Sequence, residues 1–494
     1  MKKKFIFLSI LFSFKSFCQY HNANFVFGYN SASKNPELGI TMMKFGKGDS
    51  ITYKIPKKGR MYINSDCSAI SDKAGKIVMY SNGQYLENSS QDTVENSVFF
   101  KNGSSGSTIF QGSLILPFPD KDSMYLTMHQ YSDFLAPDIY GIAKFRYGIV
   151  DMSLNGGKGK MISKGIDVMP TNTYPTYGKL TAVKQANGKD WWIYTMQDNN
   201  KGFGSCNTFY RYQLTKNGFS FVDKQIIDKE IPDGVGTAAF SPDGKKYAVY
   251  NNVGPTLGRQ LDVFDFDRCT GKFSNHQTIK YPTDDYGGAG VAFSPNSRFL
   301  YVGLDYYLGQ YDMKGTSLKE GEKIIAKSKK LTNCGDAQVN FDNMELAPNG
   351  KIYIAGYGCA KIYHVINQPN LADTLCQLEQ GGLVLPTYYF ASITKFPNFQ
   401  LGKADCSVAV EEVESEKVGI YPNPSIGQVN ISLQNENEAV EMFISDLTGK
   451  YISQYTLKEK ENTIDVAFLE NGVYFCVFKK NNQVLATKRL FILK

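Results

Sequence analysis

Histidine is scarce. Four residues, His21, His129, His276 and His364, lie far apart in 494, and no Cys-x-x-Cys pair occurs, so the chain offers little from which to build a zinc site. The apolar run Phe5 to Phe14 is too short to cross a bilayer. Basic residues are interspersed with acidic ones instead of gathering into a long run, which removes the electrostatic footprint of a nucleic-acid binder. Gly103-Ser104-Ser105-Gly106-Ser107 lacks the residue order and strand-to-helix setting of a nucleophile elbow and reads as a polar loop. Helical periodicity is almost missing between Gln19 and Gly402.

What is present is aromatic and turn-rich. The 32 Tyr, 33 Phe and 45 Gly make a β-rich composition with many reversals. One stretch recurs: Ala239 to Tyr250 (AFSPDGKKYAVY), Ala292 to Val302 (AFSPNSRFLYV) and Leu346 to Ile354 (LAPNGKIYI), with Pro242, Pro295 and Pro348 spaced 53 residues apart. Proline at the first central position, Asx next and Gly after it suit a type I turn closed by a left-handed residue. A hairpin at a fixed period of this length marks a β-propeller.

Weaker copies precede these. Ala74-Gly75 comes before Ile77 to Tyr80, Pro119-Asp120 before Met124 to Met128, and Asn187-Gly188 before Trp191 to Tyr194. The six units need a seventh to accommodate Phe25 to Tyr29 and Ile40 to Phe45. The apolar segment Tyr388 to Phe396 is expected to complete that blade and close the ring. Seven blades is the expectation, and the irregular early spacing leaves six or eight open.

Residues 1–18 read as a secretory signal, with Lys2 to Lys4, the apolar run, and cleavage between Cys18 and Gln19. Phe17 disfavours the rival, a lipoprotein signal acylated at Cys18. Loss of Lys2, Lys3, Lys4 and Lys15 takes the formal charge from +7 to +3. Eight cysteines remain, an even number that suits disulfides in an exported chain. The group Cys334, Cys359, Cys376 and Cys406 is expected to hold a bridge tying the last blade to the chain leaving it.

The propeller is expected over residues 19–402. Residues 403–417, with Glu411, Glu412, Glu414 and Glu416, form an acidic linker. From 418 to 494 strands resume between turn residues, and the alternation suits a small antiparallel sandwich. The fold class is therefore all-β, a seven-bladed propeller followed by a C-terminal β-sandwich.

The tail carries Tyr421-Pro422-Asn423-Pro424 with Gly427, then Asp446 with Gly449, Gly472 with Tyr474, and Lys488 near the end. In this order these residues closely resemble the type A C-terminal sorting domain of the type IX secretion system of Bacteroidota. The resemblance implies that the secretion machinery is a partner. It also implies removal of the tail after outer-membrane passage, then attachment to surface lipopolysaccharide or release. Residues Ile63 to Phe399, with the SPDG turns, Arg268-Cys269-Thr270-Gly271 and Val365 to Asn370, resemble the exported YVTN or WD40-like propellers of the same bacteria. No established activity accompanies that likeness.

Candidate chemistry is thin. Asp243, Asn296 and Asn349 are explained by turn capping. Asp262, Asp265 and Asp267, with Asp284 and Asp285, are the densest acidic group, and calcium is the one cofactor their oxygens would suit. No catalytic or metal-binding residue is assigned. Tyr286, Tyr306, Tyr307 and Tyr357, with Tyr131, Tyr140, Tyr388 and Tyr389, fall near strand ends and suit a contact surface. The leading expectation is a secreted or surface binding module for an extracellular protein or glycan. The alternative is a propeller-type hydrolase or lactonase with a metal site in the channel.

Overall fold

Short apolar segments punctuated by Pro-Asx-Gly turns build sheets, and the computed structural model consists almost wholly of antiparallel ones. It describes residues 20–494 except 57, 101–105, 138, 200–201, 203, 253–257, 282–289, 332–337, 407–417, 434–438, 447–449 and 481–482. Cys18, Gln19, Ser104, Ser105, Asp284, Asp285, Tyr286, Cys334 and Gly449 thus lie outside the described residues. The chain divides into two compact units, Met1–Ala404 and Asp405–Lys494.

The first unit contains seven consecutive sheets among the described residues, the blades of a propeller. Blade 1 is Asn24–Gly28, Ile40–Phe45 and Ile51–Lys54; blade 2 is Ser68–Ser71, Ile77–Ser81 and Leu86–Asn88. Blade 3 runs from Ser113–Pro117 to Lys160–Asp167, blade 4 from Tyr174–Pro175 to Gly218–Pro232, and blade 5 from Ala238–Phe240 to Lys272–Tyr281. Blade 6 runs from Val291–Phe293 to Glu322–Lys327, and blade 7 from Met344–Leu346 to Leu378–Tyr389. The strands Ser68–Ser71, Ser113–Pro117, Thr181–Lys184, Ala238–Phe240, Val291–Phe293 and Met344–Leu346 form the inner wall; the first two lie side by side, and so do the last four in turn.

Apolar cores fill the spaces between blades in sequence. Met42 of blade 1 packs in one core with Ala69 and Tyr80 of blade 2, and Leu114 with Ile70 and Ile193 joins blades 2, 3 and 4. Phe209 with Tyr247, Tyr250 with Val302, and Tyr301 with Ile354 continue the series through blade 7. Tyr353 and Tyr363 of blade 7 then pack against Phe25 and Phe27 of blade 1, which closes the ring. Each such buried aromatic contributes about 2 kcal/mol or more of transfer free energy, so closure rests chiefly on apolar burial.

The recurring Pro turns sit where each inner strand hands over to its second strand. Gly244 N donates to Ser241 O (2.8 Å) and Gly350 N to Ala347 O (2.9 Å), with φ of +70° and +78° at the two glycines. Blade 6 puts Ser297 at the same place with φ +60°, so the missing glycine costs conformational strain but leaves the turn intact. Asp243 Oδ1 accepts from Lys245 N and Asn296 Oδ1 from Arg298 N, as turn capping requires. These turns define one face of the ring, the turn face; the connections between second and third strands lie on the opposite, loop face.

Blade 1 departs from the others. Asn24 Nδ2 reaches Ser71 Oγ (2.8 Å) beside the turn face, whereas Tyr29 O accepts from Ile63 N (2.7 Å) beside the loop face. Asn24–Gly28 therefore runs against the direction of the inner strands and takes the second place in its blade. The innermost place falls to the segment following Tyr389. Tyr388 and Tyr389 remain in the outer strand of blade 7, which corrects the expected start of the closing segment. Residues 391–396 are not a hydrogen-bonded strand either; the Thr394 hydroxyl accepts from Val26 N (2.7 Å) and donates to Val26 O (3.0 Å), satisfying an edge that a strand would otherwise pair.

Beyond Phe396 the chain becomes a strap on the turn face. Asn398 Nδ2 donates to Pro242 O of blade 5 (2.7 Å), Phe399 packs on Trp191 of blade 4, and Ala404 N donates to Ala186 O (2.8 Å). Arg268 holds Gly402 O, Lys184 O and Gln185 O. Cys269, Cys359 and Cys406 are each disulfide-bonded, whereas Cys376 is a free thiol buried between blades 6 and 7 and takes no part in the expected bridge.

The second unit is a sandwich. Val418–Tyr421, Gln428–Leu433 and Glu461–Asp465 form one sheet; Tyr451–Leu457, Val440–Ser445, Gly472–Lys480 and Gln483–Ile492 form the other. Val429, Ile431, Met442, Ile444, Phe478 and Leu490 fill the space between them. Cys476 is a buried free thiol in this core, in keeping with its apolar setting.

Candidate functional site

The axial channel is where a propeller of this kind brings several blades together. Its chamber is a cavity of about 240 Å³ lined by the inner strands of blades 4 to 7, Gln111 and the strap residues Phe396 to Gln400. Gln111 spans from blade 3 to blade 5, donating to Ala238 O (2.9 Å) and accepting from Ala238 N (2.8 Å). Among the described residues, Glu345 is the one ionisable side chain in the lining. Burial raises its carboxyl to about 7 against the pull of Lys395, whose Nζ lies 3.5 Å away and also donates to Met344 O. The rest of the wall is mostly apolar, with Phe240, Phe293, Leu346, Pro242, Pro295 and Pro348, and carries Asn22 and Thr181 as further polar side chains. Among the described residues, no three His, Cys, Asp or Glu side chains converge as metal ligands.

The predicted acidic group is dispersed. Asp262 is fully buried and accepts from Gln260 Nε2 (2.9 Å), with His276 Nε2 at 2.8 Å. Asp265 binds Lys246 (2.5 Å), and Asp267 accepts from Cys269 N and the Thr270 hydroxyl. Strand alternation puts residue 262 on the opposite side from 265 and 267, so the three carboxylates do not meet.

The predicted tyrosines fare differently from one another. Tyr306 and Tyr307 form the loop-face connection of blade 6 and are 38% and 43% exposed; Tyr357, in the corresponding connection of blade 7, is 50% exposed. A buried polar network joins these two connections. Asn340 Nδ2 donates to Asp305 Oδ1 (2.6 Å), its Oδ1 accepts from Tyr357 N (2.7 Å), and Phe341 N donates to Asp305 O (2.7 Å). His364 Nε2 adds a contact to Asn340 O (3.2 Å), Nδ1 accepts from Gly381 N (3.2 Å), and burial lowers this imidazole to about 4. Tyr357 also meets Phe390 edge-on at 4.9 Å. Tyr389, by contrast, is fully buried, bonded to Gly356 N and Ile362 O, and belongs to the core. Asn340 was not singled out from sequence because its partners belong to different blades and no repeat marks it.

In the tail the motif residues bind its first turn to its last strand. Asn423 Nδ2 donates to Arg489 O (2.7 Å) and its Oδ1 accepts from Phe491 N (2.8 Å), so the side chain acts as one rung of a ladder. Pro422 and Pro424 both follow cis peptides. Gly427 O accepts from Val466 N (2.8 Å), and Asp446 Oδ1 caps its turn through Lys450 N (3.0 Å). Gly472 opens the strand that pairs with Gln483–Ile492, Tyr474 OH donates to Glu470 O (3.0 Å), and Lys488 lies opposite Cys476. Tyr421 is exposed, its hydroxyl on Glu461 (2.7 Å).

The chain is thus a β-propeller protein with a separate C-terminal β-sandwich. Residues 419–493 match the family of the secretion system C-terminal sorting domain. With this tail the protein is cargo of the type IX secretion system, exported to the outer cell surface or beyond it. No curated protein matches the chain.

Solved structures that resemble it include a Lactobacillus plantarum protein, at 12% identity over 76% of this chain and 99% of that one, with a TM-score of 0.43. Another is a putative 6-phosphogluconolactonase from Bacteroides uniformis, at 11% identity over 75% and 98%, TM-score 0.37. A third is PorZ, described as a surface component of the type IX secretion system of Porphyromonas gingivalis, at 12% identity over 92% and 69%, TM-score 0.29. Likenesses this distant say nothing of activity.

Proposed function

We propose that the propeller is a binding module delivered to the cell surface or medium, with its contact surface on the loop face of blades 6 and 7. The observation that carries this is the Asp305–Asn340–Tyr357 network, which ties two exposed aromatic turns into one framework. Aromatic rings held at fixed positions beside polar backbone suit a glycan or protein partner at small entropic cost. The channel-centred hydrolase reading fits less well. The strap residues and Gln111 occupy the channel wall, and the one carboxylate facing the chamber is already engaged with Lys395.

The test is a glycan array and pull-down from the native surface with the full mature chain, repeated with Tyr306→Ala, Tyr307→Ala and Tyr357→Ala. Binding weakened at least about tenfold by these changes, at unchanged melting temperature, is the expected result. A ligand held equally well by the triple variant would overturn the assignment of this face.

A further inference from the structure

On the opposite face, where the turns of blades 2, 3 and 4 meet the N-terminal arm, lies a cleft of about 460 Å³ that the loop-face reading does not use. Lys184, the last residue of its inner strand, lines this cleft. The residue is only 7% exposed, and its Nζ donates to Lys189 O (2.7 Å) and sits 3.9 Å from the centre of the Trp191 ring. An ammonium carries three donors. The carbonyl takes one and the ring face another, which leaves a third with no acceptor among the described residues. The strap backs this floor, because Phe399 packs on the Trp191 ring (5.6 Å) and on His21 (5.3 Å).

The acids around the cleft are already occupied. Asp72 accepts from Ala74 N and Lys76 N of its own turn, Asp120 pairs with Lys189 (3.0 Å), and Asp122 pairs with Lys73 (2.6 Å). Among the described residues Lys121 and Lys184 form no ion pair with a carboxylate, and each lies over an aromatic ring, Phe118 for Lys121 at 5.4 Å. Burial lowers Lys184 to about 8, opposed by Asp190 and Asp120, and also lowers His21, whose Nδ1 is held on Ser71 O (2.6 Å). A cation desolvated with too few acceptors is stabilised by a bound anion.

We propose that this cleft binds a small oxyanionic ligand, a carboxylate or phosphate on a body of about monosaccharide size, with Lys184 at its base and Lys121 at its rim. The volume exceeds what a bare ion fills, and Pro117, Phe118 and Pro119 give the ligand body an apolar wall. An anion favours the protonated amine, so bound ligand moves the Lys184 titration upward and affinity falls as pH rises past about 8.

Competitive trace acetylation of the intact chain between pH 6 and 10, with Lys184 and Lys121 quantified by mass spectrometry, tests this. Inorganic phosphate and glucuronate are the probes, and glucose is the neutral control. Millimolar phosphate or glucuronate is expected to protect Lys184 severalfold and to shift its onset of reactivity to higher pH, with glucose inert. Stronger protection by glucuronate identifies the sugar acid, and stronger protection by phosphate the tetrahedral anion. Lys121→Gln, an exposed change that keeps the fold, is expected to weaken protection about tenfold. Lys184 acetylated with the same pH profile in all three solutes would overturn the proposal.

Discussion

Replacing Thr394 by valine keeps the shape of a fully buried side chain and removes only its hydroxyl. That hydroxyl accepts from Val26 N and donates to Val26 O, so the change orphans both main-chain groups in the interior at the seam between blades 1 and 7. Each unsatisfied buried group costs about 1–3 kcal/mol, giving an expected loss of about 2–6 kcal/mol for the two. Thr394→Ser is the control. It keeps the oxygen and loses one methyl, worth about 1 kcal/mol, so the valine variant should be the less stable of the two despite being the more apolar. Trp191 and Trp192 are the only tryptophans and both lie in blade 4, so urea unfolding followed by tryptophan fluorescence reports on the propeller and not on the tail. A valine variant as stable as wild type, or more stable than the serine variant, would refute the view that this side chain replaces a strand at the closure.

Gly244→Ala should cost about 1–3 kcal/mol in the same assay, because φ is +70° and the new methyl would lie 2.7 Å from Leu401 Cδ2 of the strap. His364 is buried and its folded pKa is lowered to about 4, so its share of stability is complete above pH 6.5 and is lost as pH falls from there toward 4. His364→Gln should therefore reduce the acid-induced loss between pH 7 and pH 4 by up to about 3 kcal/mol, measured by urea titrations at each pH. Asn423→Ala removes two hydrogen bonds between exposed parts of the tail and should cost the sandwich about 1 kcal/mol by calorimetry. Deleting residues 418–494 should retain the propeller inside the cell envelope. Fractionation showing undiminished surface or medium protein would contradict the role of the tail.

Local chemistry was legible wherever a residue answers to its own neighbours. Pro242, Pro295 and Pro348 announced their turns because proline, Asx and a left-handed residue are required by dihedral angles within four positions. The sorting tail was legible for the same reason: its motif residues cap turns, and Asn423 stitches a turn to a strand. Ser297 shows that even the irregular copy of the repeat kept the geometry.

What the chain encodes only through its tertiary structure is contact between distant residues. Asp262, Asp265 and Asp267 look like a cluster in one dimension, yet alternation along the strand sends them to different partners. Tyr389 looks like Tyr306 and Tyr357 but is core, whereas Asn340 and Lys184 carry no motif and acquire meaning from residues in other blades. The sequence alone determined a ring of hairpins and its export, since both are written in short-range patterns. The closure through Thr394, the strap along the channel, the loop-face network and the cleft holding Lys184 were decided by folding, because burial and hydrogen-bond satisfaction depend on which distant segments the ring brings together.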